Sequence, residues 1–144
     1  MFAKREYQTA LKVLGFEQDK RTKTSGSHIR YTHTKYKNII AGIDDHKDTK
    51  DMQFKIHKEL IRTMALIVWI ECRRKDGTVD FEKAGSMLDV ITPAMAKEIL
   101  VKLKKLDYKS DSFLLVLLNK KLTAEISKVK PSMNNDSILE YIIN

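Results

Sequence analysis

Hydrophobic periodicity changes once along this chain, and the change limits the folds that the sequence can adopt. Residues 27–33 alternate polar and apolar side chains with a period of two, as a half-buried strand does. Beyond residue 53 the apolar residues recur at helical spacing instead. A region that contains strands, followed by a region of helices only, predicts an α+β protein.

The first region predicts the order helix, strand, strand, helix. Apolar residues at helical spacing over residues 2–14 predict the first helix, which Gly15 ends in the manner of a C-terminal capping glycine. Residues 27–33 and 39–43 predict two strands of a hairpin, and residues 16–23 allow a third strand. Ile29 would share one face of its strand with Tyr31, and His28 would share the opposite face with Arg30.

The second region is predicted to be helical throughout. A long helix begins at Phe54 and ends at the cations Arg73-Arg74-Lys75, which suit a helix C-terminus. We divide the chain at residue 64, into residues 1–64 and a helical extension, residues 65–144, although the long helix crosses that point. Further helical segments are predicted at residues 81–88 with Asp80 as N-cap, after Thr92-Pro93, over residues 112–128, which are nearly all apolar from Phe113 to Leu118, and over residues 137–143.

Net charge favours a polyanionic partner. The chain has 27 Lys and Arg against 19 Asp and Glu, a net charge of +8. Residues 1–64 hold 14 of the cations and 8 of the acids, so +6 of that charge belongs to the first part. Lys and Arg that neutralise phosphates release counterions, which is why such an excess points toward nucleic acid.

Several classes of protein are excluded or disfavoured. The single cysteine, Cys72, excludes an internal disulfide and fits a reducing compartment. No apolar run approaches the roughly 18 residues of a membrane span, and the first residues lack the apolar core of a signal peptide. We therefore expect a soluble, cytoplasmic protein that does not bind a membrane.

No metal site or cofactor is predicted. His33 and His57 have no partner at metal-ligand spacing, and His28 and His33, five residues apart on a strand, face opposite ways. The acids at positions 44, 45, 48 and 51 lack the glycine and the closing glutamate of a calcium-binding loop. We interpret them as solvated loop acids.

Gly26-Ser27-His28 is the group of residues best suited to catalysis. A glycine at a strand entrance allows close approach of a ligand, and a hydroxyl with a neighbouring N–H can hold a phosphate oxygen. An outward-facing histidine can exchange a proton near neutral pH. Arg30 projects from the same face and can stabilise a phosphate that carries additional negative charge. These groups suffice to cleave RNA without a metal, because the 2′-hydroxyl of RNA is a built-in nucleophile.

The order of motifs resembles the HicA family of toxins. Leu14-Gly15-Phe16 ends a helix, Gly26-Ser27-His28 opens a strand, Ile39–Ile43 form a further strand, and His46 precedes a helix that contains Leu60 and Ile61. The resemblance covers residues 1–64 only. The segment between Phe16 and Gly26 is longer than is usual in that family, and Asp44-Asp45 replace the proline expected before His46.

The resemblance implies a fold, an activity and a partner. It implies a double-stranded-RNA-binding-like fold, cleavage of messenger RNA, and neutralisation by a HicB-like antitoxin protein. His28 matches the catalytic histidine of the family, and His46 matches its second, less essential histidine. With Gly26, Ser27 and Arg30 at the cleavage point, the cations expected to follow the RNA backbone are Lys20, Arg21, Lys23, Lys35 and Lys37.

Other functions remain open from the residues alone. The same sheet face could bind nucleic acid without cleaving it, while the helical part binds a protein partner. Apolar residues 112–122 could instead form the interface of a homo-oligomer. The segments across residues 81–106 permit a helix-turn-helix, whose cations Lys102, Lys104 and Lys105 could contact phosphates, although a solvated helix face is the simpler interpretation.

Overall fold

A short antiparallel sheet in the order β1-β2-β3 holds the first part of the chain together. The computed structural model describes residues 1–20, 28–45, 47, 49–107, 110, 113–129 and 134–144. The strands are β1 (Phe16–Gln18), β2 (His28–His33) and β3 (Ile40–Asp44). The helices are α1 (Lys4–Val13), α2 (Phe54–Cys72), α3 (Phe81–Met87), α4 (Pro93–Lys104), a 3₁₀ helix (Phe113–Leu117), α5 (Lys120–Val129) and α6 (Asn135–Ile143). The described residues therefore form a mixed α+β structure, as the periodicity predicts.

The two faces of the sheet differ in burial. Tyr31, His33, Ala41 and Ile43 are buried on the inner face, which packs toward the helices. The alternation of a strand then places His28, Arg30 and Thr32 on the outer face. The predicted opposite orientation of His28 and His33 is thus confirmed.

Helix α2 is the centre of the core. Residues 63–70 are buried without interruption, so this stretch is enclosed around its whole circumference. The helix packs against β3 on one side and against α3, α4 and the 3₁₀ helix on others. The Trp69 and Phe113 rings, for example, meet edge to face with centroids 5.1 Å apart. One helix thus links the sheet to the helices that follow it.

Gly15 ends α1 as its position in the sequence predicts. Leu14 caps the helix, and Gly15 follows it with a φ of +97°. Left-handed backbone of this kind is easily reached only by glycine. A Cβ at position 15 would also lie 2.7 Å from Nε2 of His33. Both the backbone angle and the neighbouring ring require glycine here.

His33 is a buried histidine with a complete set of hydrogen bonds. Its Nε2 donates to the carbonyl of Leu14 at 2.7 Å, and its Nδ1 accepts from the amides of Lys35 at 3.1 Å and Tyr36 at 3.0 Å. Because Nδ1 accepts two N–H groups, this arrangement suits the neutral ring. Burial lowers the pKa of His33 below its usual 6.5.

The helical part agrees with the predicted starts of helices but not with every predicted length. Asp80 caps α3 by accepting from the amide of Lys83, and α4 begins at Pro93. The single helix predicted over residues 112–128 is wrong, because the 3₁₀ helix ends at Leu117 and α5 begins at Lys120. Asn119 accounts for the break, since its Oδ1 caps α5 by accepting from the amide of Leu122 at 2.8 Å.

A membrane-spanning helix is not found among the described residues, since none of their helices has the required length and apolar character.

We expect Gly15→Ala to destabilise the protein strongly. Strain from a non-glycine residue at positive φ costs roughly 1–3 kcal/mol, and the clash with His33 adds to that cost. Chemical unfolding followed by circular dichroism measures the loss in free energy of unfolding.

Two glycines provide matched controls for the Gly15 substitution. Gly77 has a φ of +89° but open space around its Cβ position, so Gly77→Ala reports backbone strain without a clash. Gly85, inside α3, also has open space, and Gly85→Ala should stabilise by about 0.5–1 kcal/mol. A loss for Gly15→Ala no larger than that for Gly77→Ala would refute the role assigned to His33.

We expect stability to decrease as the pH falls below about 6.5, the ordinary histidine pKa. The lowered pKa of His33 means that the unfolded chain binds a proton there before the native protein does, so acid favours unfolding. The full contribution is present above pH 6.5 and is lost between that value and the native pKa. Urea unfolding at several pH values should show a weaker pH dependence for His33→Gln than for the unchanged protein. The same pH dependence in both proteins would contradict this assignment.

Candidate functional site

His28 lies where β2 begins, opposite the last residue of β3. Its side chain is 58% exposed, and its Nδ1 lies 3.0 Å from Oδ1 of Asp44, whose side chain is only 9% exposed. Strand pairing creates this contact, because His28 and Asp44 are cross-strand partners on the outer face. Asp44 holds one ring nitrogen of an imidazole whose side chain is more than half exposed to solvent.

This contact corrects the interpretation of Asp44 as a solvated loop acid. The residue is the last of β3, one position beyond the predicted strand, and it is buried. Its partner, His28, lies sixteen positions earlier in the chain. No local sequence pattern indicates such a pair, because it depends on the register between the strands.

Arg30 lies two residues along β2 from His28 on the same outer face. Its Nε lies 3.9 Å from Oδ2 of Asp19, and this buried Nε has no hydrogen-bond partner among the described residues. Asp19 follows β1, and its amide donates to the carbonyl of Arg30 at 2.8 Å. The outer face therefore carries a guanidinium next to a carboxylate. The sequence predicts cations around His28, whereas the structure places both positively and negatively charged side chains on this face.

Two of the other predicted RNA-binding residues, Lys35 and Lys37, lie away from His28. Lys20 is exposed beyond the end of β1. Lys35 and Lys37 follow the far end of β2, roughly 17 Å from His28 at the usual rise of a strand. Lys35 also forms an ion pair with Glu71, with Nζ and Oε1 3.5 Å apart. The predicted Gly26, Ser27, Arg21, Lys23 and His46 lie outside the described residues.

A second polar cluster joins three helices. The hydroxyl of Tyr7 in α1 accepts from the amide of Phe2 at 3.1 Å and lies 2.5 Å from Nδ1 of His57 in α2. Nε2 of His57 lies 2.9 Å from Oε2 of Glu98 in α4. Since the phenol already accepts one hydrogen bond, its own proton is directed at Nδ1, and the proton of the neutral ring is then on Nε2.

Burial decides the protonation of this cluster. It raises the pKa of Tyr7 to about 12, and it lowers the pKa of His57 despite the nearby carboxylate of Glu98. The contact between His57 and Glu98 is short, but Oε2 receives no hydrogen bond of normal geometry among the described residues. The cluster fixes α1, α2 and α4 relative to one another, and the histidine-to-glutamate contact forms part of the wall of a cleft between α2 and α4.

No local sequence pattern indicates this cluster, because its members lie 50 and 41 positions apart in the chain. It joins helix faces that meet only in the folded chain. His57 was predicted to have no partner for metal binding, and its contacts here are with a phenol and one carboxylate. No group of three or more His, Cys, Asp or Glu residues that could hold a metal ion occurs among the residues with described positions.

The outer sheet face thus offers one arrangement suited to catalysis. An exposed imidazole is held by a carboxylate, which is how a general base is commonly oriented, and a guanidinium lies on the same strand.

Comparison of the chain with protein-family models, with characterised proteins and with solved structures gives no significant match.

Proposed function

We propose that this chain is an RNA-cleaving toxin, a metal-independent endoribonuclease in which His28 exchanges the proton. The observation that carries the proposal is the exposed His28 ring held by Asp44 at the open end of β2. A histidine that is both accessible and oriented satisfies the two geometric requirements of a general base.

The reaction needs no group beyond those of the protein and the RNA. The imidazole of His28 accepts the proton of a 2′-hydroxyl while that oxygen attacks the adjacent phosphorus. The bond to the 5′-oxygen breaks, and that oxygen takes a proton from water, leaving a cyclic phosphate. Arg30 stabilises the additional negative charge on the phosphate in the transition state.

The element order supports the proposed fold. Among the described residues, a helix, three antiparallel strands and a helix follow one another from α1 to α2, which is the order of a double-stranded-RNA-binding-like unit. We propose that residues 1–64 belong to such a unit, that it acts on messenger RNA in the cytoplasm, and that a HicB-like antitoxin covers it. Residues 65–144 would then support this unit through α2 or contact a partner, including a second copy of the chain.

A second function is favoured by the acids of the outer face. Glu17 is exposed on β1, and Asp19 and Asp44 lie beside Arg30 and His28. These carboxylates reduce the attraction of the face for a phosphate at the position where catalysis needs one. A non-catalytic nucleic-acid-binding module, with its cations elsewhere, accounts for that feature. Binding that weakens with salt, without any cleavage, would favour this alternative.

We expect His28→Ala to lower the rate of RNA cleavage by about 100-fold or more, the usual contribution of general acid–base catalysis. The fold should be unchanged, since the ring is exposed. Asp44→Asn should lower the rate less, because it leaves the imidazole in place without its charged partner. Gel analysis of labelled RNA with a chelator present measures cleavage.

Thr32→Ala is the matched control for these substitutions. Thr32 lies on the same strand and the same outer face, two residues beyond Arg30, and it has no role in the proposed reaction. The Thr32→Ala variant should cleave RNA at the same rate as the unchanged protein. Full cleavage activity in His28→Ala would refute the proposal.

A further inference from the structure

Two adjoining clefts follow the exposed side of α2. The first has a volume of about 560 Å³ and lies between α2 and α4. The second, of about 600 Å³, lies between α2, the edge of β3 and the start of α5. Phe54, Lys58 and Arg62 line both clefts, so the two clefts adjoin along these side chains. We call the two clefts together the α2 groove.

Positive charge dominates the α2 groove. Eight Lys and Arg side chains line it, against the two carboxylates of Glu59 and Glu98, and Glu98 is already in contact with His57. Across the described residues, Lys58, Arg62, Lys102 and Lys105 have no ion-pair partner. The groove therefore contains charge that the protein itself does not neutralise.

The cations are close enough to repel one another. The pKa of Lys102 is lowered, first by burial and then by the positive charges of Arg62, Lys105 and Lys58. Lys102 lies in α4, whereas Arg62 and Lys58 lie in α2, so the repulsion acts across the cleft between the two helices. An anion bound between them would relieve this repulsion.

Two helix N-termini add to the positive potential. The first turns of α2 and α5 contain no acid, and they carry Lys55 and Lys120-Lys121 respectively. Cations at that end of a helix oppose the helix dipole, which favours anions there. Both ends lie at the second cleft. This placement is unfavourable for the protein alone and favourable once an anion is bound.

The edge of β3 that has no neighbouring strand among the described residues supplies a neutral donor to the same cleft. The carbonyl of Arg30 accepts from Asp19, so the backbone groups of Arg30 point toward β1. Its partner Gly42 is then in a non-hydrogen-bonded pair, and the N–H of Gly42 points toward the free edge. Gly42 lines the second cleft, where this N–H can donate to an anionic oxygen.

The groove also offers apolar surface for a flat group. Phe54 is 61% exposed at the junction of the two clefts, and Nζ of Lys58 lies 5.4 Å from its ring centroid. Ile61 and Val101 add aliphatic surface in the first cleft. A suitable ligand therefore has repeated negative charges as well as flat rings that can stack on an aromatic side chain.

We propose that the α2 groove binds single-stranded RNA, with phosphates on the cations and a base against Phe54. A polymer that carries one phosphate and one base in every unit matches both features of the groove. The inference rests on the proposed function for the identity of the ligand, and it assigns RNA binding to a surface other than the one that holds His28. Groove binding does not require the histidine, so the two proposals can fail separately.

The test uses the full chain carrying His28→Ala, so that RNA is bound without being cleaved. Fluorescence anisotropy with labelled oligouridylate measures affinity at several salt concentrations. Lys58→Gln, Arg62→Gln and Lys102→Gln together should weaken binding at least about tenfold at low salt. They should also lower the slope of log affinity against log salt by about two, since each phosphate contact contributes roughly 0.7.

A charge-matched variant is the control for this loss. Lys50→Gln, Lys75→Gln and Lys128→Gln also remove three positive charges, from exposed positions outside both clefts. We expect this variant to keep its salt slope and nearly all of its affinity. An equal loss in the two triple variants would mean that RNA responds to net charge only, and it would overturn the proposal.

Phe54→Ala tests the groove without changing charge. Loss of a stacked base should weaken RNA binding about fivefold or more, and an exposed ring can be removed without loss of the core. Phe81→Ala is the matched control, since Phe81 is 37% exposed and has Nζ of Lys104 5.8 Å from its ring centroid, but lines neither cleft. Equal RNA affinity in Phe54→Ala and Phe81→Ala would overturn the stacking role.

Polyglutamate distinguishes RNA from an acidic protein partner. Polyglutamate that binds as tightly as oligouridylate and depends on the same three cations would overturn the assignment to RNA. RNA cleavage that persists in His28→Ala, while the groove variants still bind RNA more weakly, would refute the proposed catalytic role of His28 alone. Cleavage that depends on His28, together with RNA binding that does not depend on the groove cations, would refute this inference alone.

Discussion

Burial of α2 on all sides is the constraint on which the rest of the structure depends. Residues 63–70 are enclosed completely, so neither the sheet nor the later helices alone could cover them. A helix that is apolar around its circumference must be surrounded by other elements, and here β3, α3, α4 and the 3₁₀ helix share that role. This explains why the helix runs through position 64 without interruption. The buried helix holds together two parts of the sequence that differ in hydrophobic periodicity.

The same burial determines where α2 can meet a ligand. Enclosure of its second half leaves an exposed stripe near its start, at Phe54, Lys55 and Lys58, with Arg62 half-buried one turn further. Apart from one aromatic ring, that stripe is cationic, and it faces further lysines of α4 and α5. Its Lys55 also lies where the helix dipole is least favourable for a cation. Packing alone would not select this arrangement, because neutral polar side chains would be more stable at the same positions.

Local signals predict much of this fold, and contacts between distant residues account for what they miss. Gly15 and Asp80 act through their own backbone surroundings, so the sequence shows the end of α1 and the start of α3 directly. The break at Asn119 was missed because a continuous apolar run outweighed a single capping residue. The Asp44 contact with His28 and the contact of His57 with Glu98 join separate elements. The exposed position of His28 follows from strand alternation, but its surroundings depend on the register of three strands.

The edge of β3 connects the outer sheet face to the α2 groove. Arg30 and Gly42 are cross-strand partners, so the strand that carries Asp44 and meets His28 on one face also lines the second cleft at its free edge. Glycine at position 42 has no side chain to separate the two surfaces, and no atom lies within 4 Å of its Cβ position. A single strand of RNA that lies in the groove would reach the sheet face across this gap. The cations would then hold the RNA beside the imidazole, which keeps its orientation through its contact with Asp44.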